Sequence, residues 1–206
     1  MPKALSDQDV AEFRDRLCDA AEHLFAEQGP EAVTMRQLAQ ALGVSAMTPY
    51  RYFKDKDAIL AAVRARGFNR HADVLERAYD EAKTSGGDVS EAVGRAYVRF
   101  AFDNPEAYKL MFDITQPNEA DYPELVAAGE RSRATMTQHL DELIGEGRLT
   151  GDKDLIGHLY WAAIHGPIML QFSGKLAPPF RAERLIGELV AILNAHFFPP
   201  AAANEA

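Results

Sequence analysis

The sequence predicts an all-α chain of two helical domains, and three observations carry that prediction. Apolar residues recur at helical spacing along most of the 206 residues, with no sustained period-two alternation of the kind a half-buried strand would show. Glycine and proline punctuate the chain at intervals that suit helices joined by short loops. Residues 33–60, VTMRQLAQALGVSAMTPYRYFKDKDAIL, hold the signals of two short helices about a tight turn.

That segment is read element by element. Thr34 with Gln37 forms a T-x-x-Q capping box, which satisfies two unpaired backbone N–H groups and starts a helix at Met35. Leu38, Ala39 and Leu42 make its apolar face, and Gly43 stands where a helix ends in the left-handed conformation. Ser45 can then cap a second helix running through Tyr52. A turn this short lets two helices cross steeply enough for the second to enter a DNA major groove.

A plain helical hairpin would need only a core face on the second helix, which Val44, Met47 and Phe53 could supply. The chain also places Thr48, Tyr50, Arg51, Tyr52, Lys54 and Lys56 there, hydroxyls and cations that donate to phosphate oxygens. The N-termini expected near Met35, Ala46 and Lys56 add backbone N–H groups of the same polarity. Residues 33–70 hold seven basic side chains against the acids Asp55 and Asp57, in a chain whose net charge is −9. The segment therefore reads as a helix-turn-helix for double-stranded DNA.

At this point a family resemblance is specific. Residues 13–68 resemble the N-terminal domain of the TetR family of bacterial transcriptional regulators, through an amphipathic first helix ending at Gly29, the T-x-x-x-L-A-x-x-x-G-V-S run, the Y-R-Y-F block and Lys56 at the start of the fourth helix. The resemblance implies phosphate contacts from Thr34, Arg36, Tyr50, Tyr52 and Lys56, and base-edge contacts around Ala46, Met47, Thr48 and Arg51. Pro49 stands where the family most often has leucine, and its fixed φ and missing N–H shift or tighten the start of the recognition helix.

Composition is compatible with this reading. Residues 1–70 contain ten basic and ten acidic residues, so the whole −9 belongs to residues 71–206, and an acidic body repels DNA everywhere except at the reading face. The single cysteine, Cys18, excludes an intrachain disulfide and is expected to act as a small core hydrophobe beside Ala21 and Leu24. The N-terminus MPKALSDQDV has no apolar run of a signal peptide. The longest apolar run, residues 159–172, is too short to span a bilayer. A cytoplasmic protein with no membrane partner is expected.

Beyond a boundary near residue 70 the chain continues as helices. The fourth helix starts after Asp55 and runs to about Lys83, where the SGG at 85–87 breaks it. Asp88 with Glu91 caps a helix carrying Val93, Tyr97, Phe100 and Ala101 up to Asn104-Pro105, and Pro105 opens a short helix ending near Asp113. A polar, proline-bounded loop follows at 114–123. Three further helices are expected at 123–146, 154–172 and 181–198, with an alanine-rich tail beginning at Pro199.

The last two of these helices carry an oligomerisation signal. The final one shows a stripe of Leu185, Ile186, Leu189, Val190, Leu193 and Phe197, and the one before it is apolar on nearly every side, so it must be covered all round. A second subunit can cover the outer side, and a twofold dimer matches paired half-sites on DNA. A central helix in a monomeric bundle would show the same pattern.

Asn104-Pro105 with Tyr108, Met111 and Phe112, and the W-x-x-x-H-G arrangement of Trp161, His165 and Gly166, are similar to the WHG-type C-terminal domain of one TetR branch. The resemblance covers residues 88–198 and implies an all-helical domain for ligand binding and dimerisation, taken as residues 71–206. Candidate ligand-binding residues are Phe100, Tyr108, Met111, Phe112, Trp161, His165 and Met169, a mixture of apolar bulk and polar handles that suits an aromatic-lined small-molecule site, although each also serves as ordinary core. His158 and His165 stand seven apart, too far for the i, i+4 pair of helical zinc sites, so no metal is expected and His165 reads as a buried histidine with one bonded nitrogen. No nucleophile elbow, phosphate-cradling glycine loop or H-E-x-x-H motif is present, and no cofactor or catalytic residue is assigned. The whole reads as a one-component regulator, a repressor in the commonest form of the family. It would bind a palindromic operator as a homodimer and be released by an apolar or aromatic effector. An activator, or a DNA-binding protein with a closed pocket, is the alternative; a helical-bundle enzyme is a more distant one.

Overall fold

The structure, a computed structural model, describes residues 6–112 and 118–198. Among the described residues there are eight α-helices and no strand. The chain divides into two compact units, Met1–Arg70 with Glu106–Arg131, and His71–Pro105 with Ser132–Ala206. The sequence division at residue 70 left 106–131 with the C-terminal part. In space that segment belongs to the first unit.

In the first unit, helix α1 (Asp7–Gln28) begins at a capping box in which Ser6 and Asp9 satisfy each other's backbone N–H, a start signal not singled out in the sequence. It ends at Gly29, whose φ of +80° few other residues tolerate. Helix α2 (Met35–Ala41) starts at the expected Thr34–Gln37 capping box, and Gly43 takes the left-handed φ of +66°. Leu17, Phe25, Leu38, Ile59 and Val63 are buried in one cluster with the first part of helix α3 (Lys56–Ser85). Cys18 belongs to that cluster as a free thiol, and burial pushes it above its ordinary pKa.

Helix α5 (Pro105–Met111) packs on α3 where Gly67 permits it, since a Cβ at Gly67 would stand 2.7 Å from Met111 Cγ. The buried guanidinium of Arg64 holds the same place by donating to Met111 O at 3.0 and 3.2 Å and to Glu119 Oε2 at 2.8 Å. Arg66 and Arg70 bridge to Asp19 and Glu22 of α1, each at 2.6 Å.

The second unit is built from the rest of α3, helix α4 (Val89–Asp103), the C-terminal part of helix α6 (Pro123–Gly145), helix α7 (Lys153–Phe172) and helix α8 (Ala182–Phe197). Asp88 caps α4 through Glu91 N, as its spacing predicts, and Asp152 caps α7 through Leu155 N. Leu140, Leu149, Ile156 and Phe197 form one buried cluster. His71 is sealed elsewhere in the unit, with Nδ1 2.8 Å from Ser132 Oγ and its ring edge-on to Tyr97 and Phe100. Its Nε2 has no partner among the described residues.

One expected helix is absent. Ser45 does not cap an α-helix through Tyr52. Residues 46–48 form a turn, and only Pro49–Arg51 is helical, as a single 3₁₀ turn. The reason is Pro49, which has no N–H to return to Ser45 O. Thr48 N makes that bond instead at 2.9 Å, one residue tighter than an α-helix requires. The Ser45 hydroxyl pairs with the Thr48 hydroxyl at 2.9 Å. The polar loop is described only from Asn118 on, with a 3₁₀ turn at Glu119–Asp121. The rest of it, the expected end of α5 at Asp113 and the tail from Pro199 lie outside the described residues.

Burial lowers the His71 pKa to about 3, so the folded chain keeps this imidazole neutral where an unfolded chain, titrating near 6.5, takes up a proton. Stability contributed by the neutral form is complete above pH 6.5 and is lost as pH falls toward 3, with a slope of about 1.4 kcal/mol per pH unit. Urea denaturation between about pH 7 and 4.5 should show this acid limb, and His71→Gln should make it shallower.

Candidate nucleic-acid interface and effector cleft

The reading surface is assembled from short pieces. Thr34 and Gln37 are engaged in the α2 cap, with Thr34 Oγ1 donating to Gln37 Oε1 at 2.8 Å and Gln37 Nε2 passing on to Gln28 Oε1 at 3.1 Å. Arg36 stands exposed on the first turn of α2. Val44 N returns to Ala39 O at 3.0 Å and ties the turn to α2. Met47 is 69% exposed and Tyr50 49%, an outward placement of large side chains that no packing requirement explains. Ser45, Ala46, Arg51 and Lys54 are exposed as well, and Lys54 Nζ lies 4.0 Å from Asp55 Oδ2. Asp55 itself caps α3, accepting from Ala58 N at 2.8 Å.

Besides Thr34, three expected contact residues are partly committed within the protein. Thr48 is half-buried and paired with Ser45. Lys56 Nζ donates to Pro30 O at 2.6 Å and Glu31 O at 3.3 Å, which braces the loop before α2 against the start of α3. The half-buried ring of Tyr52 stacks on Phe13 with centroids 4.2 Å apart. Arg14, which the sequence reading passed over, donates from Nη1 to Tyr52 O at 2.7 Å and lies 4.1 Å from the Phe53 ring centroid. A cation beside Phe13 on an amphipathic helix was its only sequence signal.

The candidate ligand residues are distributed over both units. Tyr108, Met111 and Phe112 belong to the first unit, where Phe112 meets Phe68 edge-on at 5.4 Å and Tyr108 at 5.0 Å. Phe100 is buried against His71 in the second unit. His165 and Met169 are half-buried on α7, and burial lowers the His165 pKa.

The second unit has a cleft of about 1180 Å³ between α4, α6, α7 and α8, and Trp161 is the one of the seven that lines it. Trp161 Nε1 donates to Tyr97 Oη at 3.1 Å, and Tyr160 Oη to Asn194 Oδ1 at 2.5 Å. Burial pushes the Tyr160 phenol up to about 12 and holds His139, another lining residue, below its usual range with Nδ1 unpartnered among the described residues. Val93, Val98, Ile186 and Val190 supply apolar walls. Those on α8 were legible only as an apolar stripe.

On α7, Leu155, Leu159 and Leu170 are exposed, as are Leu189 and Ile192 on α8, whereas Ile168 is fully buried within the unit. No described helix is long and apolar enough to cross a membrane, and no cluster of three or more histidine, cysteine or acidic side chains is placed to hold a metal among the described residues.

An all-helical chain with a capped helix, a glycine turn and an outward cationic reading segment is a helix-turn-helix protein. Residues 17–63 match the tetR family of bacterial regulatory proteins, and residues 90–193 match the tetracyclin repressor-like C-terminal domain. The chain belongs to the TetR family. It is 38% identical over 77 residues to the HTH-type transcriptional repressor Rv1474c of Mycobacterium tuberculosis, a match over 37% of this chain and 41% of that one, so this chain spans less than half of that relative's length. A solved structure from Rhodococcus sp. RHA1, a protein of unknown function, superposes with a TM-score of 0.74 at 25% identity, covering 97% of this chain and 100% of that one. The TetR family transcriptional regulator PfmR from Thermus thermophilus shares the fold, with a TM-score of 0.65 at 23% identity over 87% of this chain and 98% of that one.

Proposed function

We propose that this chain is a one-component transcriptional regulator that binds a palindromic operator as a homodimer and releases it when a small apolar or aromatic molecule enters the second unit. The observation that carries the reading is the exposed set Met47, Tyr50, Arg51 and Lys54 on a turn held between capped helices, with Arg36 exposed nearby in sequence on α2. Exposed cations and hydroxyls suit phosphate oxygens, and an outward Arg suits the edge of guanine. Repression is favoured over activation because the Rv1474c relative is a transcriptional repressor. We assign DNA reading to residues 1–70 and effector response to the second unit, His71–Pro105 with Ser132–Ala206, in a cytoplasmic protein.

Dimerisation through α7 and α8 is supported by their exposed leucines and Ile192, an apolar face that a second copy would cover. The effector site is the cleft beside Trp161 rather than the wider set of aromatic residues, because apolar residues such as Val93, Val98, Ile186 and Val190 line it together with polar and charged side chains that can orient a ligand. An effector loosens DNA only if it binds better to a dimer whose readers are wrongly spaced.

Selection of bound sequences from a random duplex library should return a palindrome. Arg51→Ala should then change base preference at one or two positions by roughly 1–3 kcal/mol. Tyr50→Ala and Lys56→Ala should weaken operator and random duplex alike, and log affinity should fall linearly with log salt. No binding by the parent protein, or unchanged binding by all three variants, removes the reading.

A charge at Ile192 is solvated in a monomer but buried in the proposed dimer, so Ile192→Glu should sediment as a monomer with its helix content intact. A dimer unaffected by this change would place the interface elsewhere.

Trp161 is the only tryptophan, and an effector in the cleft should change its fluorescence over the same concentrations that lower operator affinity. By linkage, operator DNA should weaken effector binding by an equal factor, typically about 5–150-fold. Operator release without a Trp161 response would move the site away from the cleft.

A further inference from the structure

The recognition turn has few means of holding itself. Its internal backbone bonds are Thr48 N to Ser45 O, Arg51 N to Thr48 O, and Tyr52 N and Phe53 N to Pro49 O, all between 2.9 and 3.1 Å, and the Ser45 and Thr48 hydroxyls pair at 2.9 Å. Pro49 contributes no N–H, and no side chain caps the 3₁₀ turn. A single turn fixes several dihedrals for each bond it closes, so such a segment does not persist on its own ladder. What ends it is external: Phe13 stacks on Tyr52, and the Arg14 guanidinium both donates to Tyr52 O and covers the Phe53 ring.

We infer that Arg14 on α1 is a positioning residue for DNA reading, fixing the end of the recognition turn and through it the direction in which Tyr50 and Arg51 project. Tyr52 O lies on the peptide linking Tyr52 to Phe53, one residue beyond Arg51, so its anchor limits rotation of the backbone that follows the exposed guanidinium. The chemistry calls for arginine. A planar guanidinium can donate in its plane while stacking across it, whereas a lysine ammonium can make the hydrogen bond but covers a ring poorly. The bond is charge-assisted and meets a carbonyl near the negative end of the turn's dipole, which makes it stronger than a neutral pair. With its Cζ 4.1 Å from the Phe53 ring centroid and Nη1 on Tyr52 O, Arg14 acts through the turn and not as a phosphate ligand in its own right.

The inference rests on the DNA-binding reading, and its test separates the two. In the free protein, Arg14→Gln should speed amide exchange at Arg51, Tyr52 and Phe53 by about 10-fold or more, the loss expected for a hydrogen bond to a charged group, while the interiors of α1 and α3 stay protected. Arg14→Lys should restore part of the protection. On DNA, Arg14→Gln should lower the ratio of operator to random-duplex affinity by about 10-fold with an unchanged salt slope, and this effect should shrink in an Arg51→Ala background because both act on the same contact. A salt slope reduced by about one, with base preference intact, would make Arg14 a direct phosphate ligand and overturn the inference. Unchanged exchange and an unchanged ratio in a folded Arg14→Gln protein would overturn it too. If the parent protein bound no DNA, the regulator reading would fall, and the exchange result would still decide whether Arg14 holds the turn.

Discussion

A seven-residue helix and one 3₁₀ turn contain too few hydrogen bonds to persist in water, so α2 and the recognition turn exist only because the first unit buries Leu38, Pro49 and Phe53. A fully buried side chain of this size contributes about 1.5–3 kcal/mol, against about 1 for a helix cap and 0–1 for an exposed ion pair. Core burial therefore dominates. The bridges from Arg66 and Arg70 to α1 guide packing more than they stabilise it. The same ranking explains the outward Met47 and Tyr50, since the core is already complete without them.

Helix α3 places two polar side chains where helices usually place hydrophobes. Arg64 is buried in the first unit, where a backbone carbonyl and Glu119 receive its donors, and His71 is buried in the second, where Ser132 meets one nitrogen. Removing a partner from either would leave a buried polar group unsatisfied, which costs more than the bond itself contributes. These pairings select where the segment around Met111 and the helix carrying Ser132 pack, a specificity that apolar contacts alone would leave loose. Gly67 acts in the same direction by admitting Met111 at a distance no Cβ would permit.

Charge is distributed to suit the proposed role. Residues 1–70 are balanced overall yet cationic from residue 33 on, and the acidic excess lies beyond them. Within the acidic part many charges are matched locally, as in Lys83 with Glu142 and Lys153 with Asp141. The exposed cations of the reader, Arg36, Arg51 and Lys54, have no such strong partners among the described residues, and charge left open in this way is what a phosphate backbone can use.

Much of the local structure was legible in the residues themselves. The Thr34–Gln37 and Asp88–Glu91 caps, the glycine at 43 and the proline at 105 are short-range devices whose partners lie three or four positions away, and each stands where its spacing predicts. Pro49 announced a tightened start, though not that the α-helix would be replaced by one 3₁₀ turn, because that depended on whether Thr48 or a later residue took the Ser45 carbonyl. What the sequence determined by itself was the all-helical class, the position of the reader and its charge. What only the tertiary structure decided was which distant residues share a space. It joined Arg14 to Tyr52, Lys56 to Pro30 and Arg64 to Met111, and it divided Tyr108 and Met111 from Trp161 between two units. Periodicity reports which face of a helix is buried, and carries no record of the partner against which it is buried.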